Sequence, residues 1–198
     1  MNRRGFFKNA LSVVIPTAAA GWFFARPGAG KAAPVRPPGA LPEGEVLARC
    51  LRCLRCVEAC PNNAIVPLDA SLGPDREGTP SIHPRRQACM LCQGVPGSYL
   101  SCTDACPSGA LERIRKDPPE IWAKVAMGKA ELDRSLCYSY QSWTCGACYR
   151  ACPFPERAMT LGLWERPEVL TEGCVGCGLC ERMCLRYPHA IRVRPRAA

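Results

Sequence analysis

The residues of this chain best suited to chemistry are its 16 cysteines, spread over 198 positions. They fall into four groups: Cys50, Cys53, Cys56 and Cys60; Cys89, Cys92, Cys102 and Cys106; Cys137, Cys145, Cys148 and Cys152; and Cys174, Cys177, Cys180 and Cys184. The first reads C-x2-C-x2-C-x3-C and is followed by Pro61. Thiolates at that spacing are the ligands of a [4Fe–4S] cluster. A cubane core needs one thiolate on each of four irons, and three closely spaced cysteines can wrap a tight loop around three corners. The fourth cysteine sits where the chain leaves and reaches a different cluster. One such motif therefore predicts a second. Four groups predict four [4Fe–4S] clusters, with all sixteen cysteines as iron ligands.

Two other uses of cysteine compete with this reading. Sixteen thiols make eight disulfides in an exported protein, but cysteines two residues apart are poor mutual partners, and the triplet pattern recurs. Structural zinc takes two C-x2-C pairs separated by a longer loop. The second and third groups, with insertions of nine and seven residues, can be trimmed to that form; the first and fourth cannot. The cysteine region allots only about 34 residues to each group. So little chain cannot build a large core, so metal or disulfides must staple the fold.

The elements that would hold these loops are short. Ala64-Ile65 starts a strand after the first group, Thr79 to Ile82 returns it, and Gly73-Pro74-Asp75 and Glu77-Gly78 turn the enlarged loop between them. Ser108-Gly109-Ala110-Leu111 repeats the strand start after the second group. Asp117-Pro118-Pro119-Glu120 reads as a helix start whose apolar face is Ile121, Trp122 and Val125, ending at Gly128. Met159, Leu161 and Leu163 alternate as a strand does, and Ala190 to Val193 is the last strand. The repeat is a ligand loop, a short helix and a strand, four times over. The fold class expected is α+β: two bacterial-type ferredoxin units of two [4Fe–4S] clusters each, in one small irregular domain of short strands and helices.

Tyr138, Tyr140 and Trp143 in the third group's insertion read as packing in a small core, with shielding of a cluster as the alternative. His83 and His189 are the only histidines, and neither is expected to act as a ligand. Leu185 replaces the proline that follows the last cysteine of the other groups, which suggests a different exit from the cluster. Ser98, Ser101 and Asp104 do not make a hydrolase. The chain has neither a phosphate-binding glycine loop nor a dinucleotide fingerprint. An electron carrier is expected, with no catalytic residues, rather than an enzyme.

Residues 1–32 read as a targeting segment. Arg3-Arg4-Gly5-Phe6-Phe7-Lys8 is a twin-arginine sequence, and an uncharged, mostly apolar run follows from Asn9 to Ala25. That export route carries folded proteins, which suits clusters built in the cytoplasm. The run is also near the minimum length for an anchor. A periplasmic protein, peripheral or N-terminally anchored at the membrane, is the expectation. Residues 33–49, rich in Pro, Gly and Ala, read as an extended linker, part of it lying along the folded region of 50–198. The formal charge of +9 falls to +4 without residues 1–32, which carry five cations and no acid. Each oxidised cluster with its thiolates adds about −2, so four bring the sum to about −4 and no nucleic-acid partner is expected.

From the twin-arginine leader through Arg36-Pro37-Pro38-Gly39-Ala40-Leu41 to the fourth group, the chain resembles the NapG/MauM family of ferredoxin-type proteins. The Arg-Pro-Pro-Gly-Ala-Leu strip and the C-x7-C-x2-C-x3-C-P form of the third group are the more specific marks. The resemblance implies an exported four-cluster carrier working with a membrane iron–sulfur protein that oxidises quinol, NapH-like or MauN-like. From there electrons pass toward a periplasmic oxidoreductase of the nitrate reductase type. In the MauM sense it implies a place in methylamine utilisation, as carrier or as maturation factor. It also suggests nested sharing of cysteines. Cys184 would then join Cys50, Cys53 and Cys56, and Cys60 would join Cys174, Cys177 and Cys180. Cys152 would join Cys89, Cys92 and Cys102, and Cys106 would join Cys137, Cys145 and Cys148. The spacing itself equally permits sequential sharing, group one with two and three with four, and the hairpin-like lengths after Cys60 and Cys152 suit it.

Overall fold

The computed structural model describes residues 33–196, so the targeting segment expected over 1–32 lies outside the described residues. The elements are short, as the turn-rich sequence requires. Helix α1 is Glu43–Arg49, α2 Arg55–Glu58, α3 Ser101–Asp104, α4 Pro118–Lys124, α5 Ala147–Arg150 and α6 Leu179–Arg182. The strands are β1 Ile65–Pro67, β2 Pro80–Ile82, β3 Gly128–Leu132, β4 Met159–Leu161, β5 Pro167–Val169 and β6 Ile191–Pro195. They pair only in antiparallel twos: β1 with β2, β4 with β5, and β3 with β6. Two-stranded ribbons tolerate Pro67, Pro80, Pro167 and Pro195 because each strand has an unpaired edge.

The order of elements repeats. In the second half, β3 leads in, α5 follows the third cysteine loop, β4 and β5 form a hairpin, α6 follows the fourth loop, and β6 returns to pair with β3. Leu132 lies opposite Ile191 and Gly128 opposite Pro195. The first half has the same plan in reduced form. Helix α2, the β1–β2 hairpin and α3 follow the first two loops, and Leu111 then returns to a single bridge with Ala40. Within each half the two post-cysteine helices pack together, α2 on α3 and α5 on α6.

Residues 33–49, expected as a linker, are instead part of the packed body. Val35 bridges Ile82, and Pro37 and Pro38 are fully buried. Arg36 is the clamp. Its Nε and Nη2 donate to Glu43 at 2.8 and 2.6 Å, and its Nη1 donates to the Thr79 hydroxyl and the Pro80 carbonyl at 2.9 and 2.7 Å. Gly39 has φ +72°, and a Cβ there would overlap the Glu112 carbonyl oxygen. The Arg-Pro-Pro-Gly-Ala-Leu strip is thus a packed leading segment with a turn at Pro38-Gly39 and a single bridge at Ala40, and its composition follows from what it touches.

Other expectations shift as well. Helix α4 starts at Pro118 as the sequence suggests but ends at Lys124, and the sequence reading has no counterpart to β3, β5 or α1. Leu111 makes one bridge rather than a strand. Leu163 leaves the alternation of β4 for a 3-10 turn at Leu163–Glu165, where it is 85% exposed.

One core joins parts of both halves: Val35, Ile65, Ile82, Leu100 and Ile114 with Val175 and Val193. The smaller second core holds Ala130, Met159 and Ile191. The backbone crosses between halves where the Cys89 N–H donates to the Cys177 carbonyl at 2.9 Å and Met127 donates to Val175 at 3.1 Å. Arg85 reinforces this seam, its Nη1 reaching the carbonyls of Glu181, Arg182 and Cys184. Among the described residues no helix is long and apolar enough to cross a membrane.

Candidate iron–sulfur sites

The sixteen cysteines are all free thiols, so the disulfide alternative fails. They gather in fours, each four lining one hollow that opens to the surface. The first hollow takes Cys50, Cys53, Cys56 and Cys106; the second takes Cys60, Cys89, Cys92 and Cys102. The third takes Cys137, Cys145, Cys148 and Cys184, and the fourth Cys152, Cys174, Cys177 and Cys180.

Sharing is therefore sequential, and the nested pairing implied by the resemblance is corrected. The reason is the hairpin inside each half. Ribbon β1–β2 brings the loop after Cys60 straight to Cys89, and β4–β5 brings the loop after Cys152 straight to Cys174. The fourth cysteine of each group then has a neighbouring loop within reach of its own half. Cys102, which departs furthest from regular spacing, stands with its group: it lies on α3 and faces the second hollow.

Local backbone shape makes the cradles. Each of α2, α5 and α6 is preceded by a left-handed residue, Leu54 at φ 60°, Gly146 at 58° and Gly178 at 86°. Such a bend reverses the chain so that cysteines on both sides face one point. Gly176, φ +75°, is required by close approach, since a Cβ there would overlap the backbone of Gly128.

The donor set fits a cluster. Sulfur is the only side-chain donor that all four hollows share, and backbone N–H groups aim at it: Ala64 at Cys60 (3.3 Å), Leu91 at Cys89 (3.4 Å) and Ser101 at Cys92 (3.4 Å). The Ser101 hydroxyl lies 3.6 Å from the Cys92 sulfur and the Ser108 hydroxyl 3.7 Å from that of Cys106. Such bonds favour thiolate and tune cluster potential. Among the described residues no three His, Cys, Asp or Glu side chains converge closely enough to hold a single ion. Each quartet instead surrounds an open hollow, which suits a multi-atom inorganic core better than one zinc.

As bare thiols, Cys56, Cys89, Cys102, Cys148, Cys152, Cys177 and Cys180 are pushed toward the neutral form by burial. Burial pushes the Cys56 thiol up to about 11, and the Cys148 and Cys177 thiols up to about 12. Cys106 goes the other way. Burial alone would raise it, but the N–H groups of Leu111, Ser108 and Ala110 and the Ser108 hydroxyl favour its thiolate and bring it below the ordinary value.

The hollows stand in a row. Cys56 on α2 belongs to the first and Cys102 on α3 to the second, and these helices pack together. Cys148 on α5 belongs to the third and Cys180 on α6 to the fourth, and these also pack together. The seam joins the second to the fourth: burial raises the Cys89 thiol, and the charge of Cys177 adds to it. The order is first, second, fourth, third. At one end Cys53 is exposed. At the other, Tyr138 lines the third hollow, which gives it the shielding position, whereas Trp143 is 72% exposed and packs in no core. Neither histidine lines any hollow. Ser108, Ser139 and Arg186 do, and sequence reading missed them. Ser108 and Arg186 each stand two residues beyond the last cysteine of their group and Ser139 two beyond the first of its own, a position that is their only signal in the sequence.

Residues 49–110 match the model of a 4Fe-4S dicluster domain and residues 143–154 that of a 4Fe-4S binding domain. The class is thus a small mixed helix–strand protein of the 4Fe–4S ferredoxin type. The chain is 40% identical to the methylamine utilization ferredoxin-type protein MauM of Methylorubrum extorquens, over 82% of this chain and 73% of that one. It is 39% identical to MauM of Paracoccus denitrificans, over 82% and 71%. With the ferredoxin-type protein NapG of Escherichia coli the identity is 34%, over 81% and 70%. The chain belongs to the NapG/MauM family of ferredoxin-type proteins, and an iron–sulfur electron-transfer role follows from that membership.

Proposed function

We propose that the chain holds four [4Fe–4S] clusters, one in each hollow on all sixteen cysteines, and relays single electrons along the row. Each half is then a two-cluster ferredoxin unit of the bacterial type. The observation that carries this reading is the unbroken order first, second, fourth, third, with packed helices or a backbone hydrogen bond between every neighbouring pair of hollows. The clusters supply one-electron chemistry when bound. The chain's own part is to space them, exclude water with buried thiols such as Cys102, Cys148 and Cys180, and direct N–H and O–H groups at sulfur.

The twin-arginine sequence supports export to the periplasm, with peripheral or N-terminal association at the membrane. The donor in this reading is a membrane iron–sulfur protein that oxidises quinol, and the acceptor a periplasmic oxidoreductase of the nitrate reductase type. A second reading, a role in methylamine utilisation, is favoured by the higher identity to MauM relatives, 38 to 40%, than to NapG relatives, 34 to 36%.

Anaerobic recovery of the tagged protein from its host's membranes tests both. Co-recovery of a quinol-oxidising iron–sulfur protein, with reduction of this chain by quinol, supports the relay toward nitrate reductase. Co-recovery of methylamine dehydrogenase components alone supports the second reading. If the mature oxidoreductase turns over at full rate after this chain is depleted, the chain acts in assembly and the relay is wrong.

A further inference from the structure

Three buried side-chain polar atoms among the described residues have no hydrogen-bond partner: Ser139 Oγ, Arg186 Nε and His189 Nε2. Ser139 and Arg186 both line the third hollow, beside Cys137, Cys145, Cys148 and Cys184. The first, second and fourth hollows are lined by none of the three. An unpaired buried donor is costly, and native proteins rarely keep one without a use. Both residues are fixed by contacts that leave the unpaired atom free. The Ser139 carbonyl accepts from Arg166 Nε at 3.3 Å, and the Arg186 guanidinium stands 5.6 Å from the centroid of the Tyr138 ring.

We propose that Ser139 and Arg186 donate hydrogen bonds to the sulfur atoms of the iron–sulfur group in the third hollow. By doing so they raise its reduction potential and make that end of the row the place where electrons collect and leave. The inference rests on the relay reading above. Reduction adds one electron, and so one negative charge, to the group without making or breaking a bond. A guanidinium that stays protonated and an O–H dipole aimed at sulfur stabilise the more negative state more strongly than the less negative one. Hydrogen bonds to sulfur are among the levers that set cluster potential. Because the third hollow is terminal in the row, a group of raised potential there gives the flow a direction, from the exposed Cys53 end inward.

The test is a redox titration of the anaerobically prepared, cluster-loaded full chain, followed by electron paramagnetic resonance, with iron counted per chain. Wild type is compared with Ser139→Ala, Arg186→Met and Arg186→Lys. The expected result is that one and the same centre titrates at lower potential in Ser139→Ala and Arg186→Met while the other three are unchanged. For Arg186→Met the shift is at least about 59 mV, tenfold in a one-electron equilibrium. Arg186→Lys, which keeps the charge, retains most of the wild-type potential. With about one electron supplied per molecule, that electron rests on this centre in wild type and moves off it in Arg186→Met. Four unchanged potentials at full iron content overturn the proposal and leave the relay standing. An equal fall at all four centres, or loss of the iron of one centre in both Ser139→Ala and Arg186→Met, overturns it too, because either result means a packing role. A wild-type protein whose centres accept no electrons would instead sink the relay itself.

Discussion

Cys53 is exposed whereas Cys92, Cys102, Cys137, Cys148, Cys177 and Cys180 are buried, so the thiols differ in what can reach them although their chemistry is the same. Oxidants act on accessible thiolate. Exposure of the loaded protein to air or peroxide is therefore expected to bleach the centre at the first hollow before the others, and spectroscopy of partially oxidised samples checks this. Replacing one ligand should act just as locally. With four clusters bound, as proposed, Cys56→Ser is expected to lower the iron content by roughly one quarter, one cluster of four, and to leave the other three spectral signatures in place. Iron analysis with electron paramagnetic resonance reads both effects. Electron throughput unchanged in that variant would place the first hollow off the path.

Among the elements, the leading strip before the first cysteine loop is the most heavily constrained. Gly39→Ala puts a methyl against the Glu112 carbonyl in a left-handed backbone, and is expected to cost about 1 to 3 kcal/mol, measured as a lower denaturation midpoint. Glu43 accepts from Arg36, and chiefly that bond, with the nearby charges of Arg36 and Arg76, holds its carboxyl below the ordinary 4.5. A depressed carboxylate contributes stability that is full above its unfolded pKa and is lost as pH falls through the lower folded value. Melting of the wild type should thus weaken below about pH 4.5. Glu43→Gln should already have lost about 1.5 to 3 kcal/mol near neutrality, the worth of a charge-assisted hydrogen bond, and should show a flatter acid limb. The expectation that part of this segment lies along the folded region holds, but its extent was not legible, for a physical reason. Proline and glycine signal an extended chain, but not that Arg36 finds buried partners at Thr79 and Pro80 or that Ala40 finds a bridge partner 71 residues later at Leu111.

At the scale of the whole molecule, small cores into which cysteines pack and ribbons of only two strands each, among the described residues, leave little to hold the chain together without metal. Removal of iron by a chelator is expected to unfold the protein, because cluster binding supplies much of the folding energy. Loss of ellipticity in step with loss of cluster absorbance checks this, and a chelated protein that keeps its full structure would contradict it. Reloading should improve as pH rises, since the thiols of the unfolded, iron-free chain must lose protons to become ligands.

What the sequence by itself determined is the chemistry and the local shapes. The cysteine spacing named the four loops, the turn residues after Cys60 placed the β1–β2 hairpin, and the last strand read over Ala190 to Val193 overlaps β6 at Ile191–Pro195. These are properties of a few neighbouring residues, set by tight loops around a compact core and by period-2 burial. Tertiary structure alone decided which loops share cysteines, that β3 pairs with β6 across 58 intervening residues, and that the second and fourth hollows meet at the Cys89–Cys177 hydrogen bond. It also decided that Ser139 and Arg186, each with an unpaired buried polar atom, line the same hollow. Spacing along a chain limits how far a cysteine can reach but not in which direction. That direction is set by how hairpins fold back and helices pack, and these depend on contacts between residues far apart in the sequence.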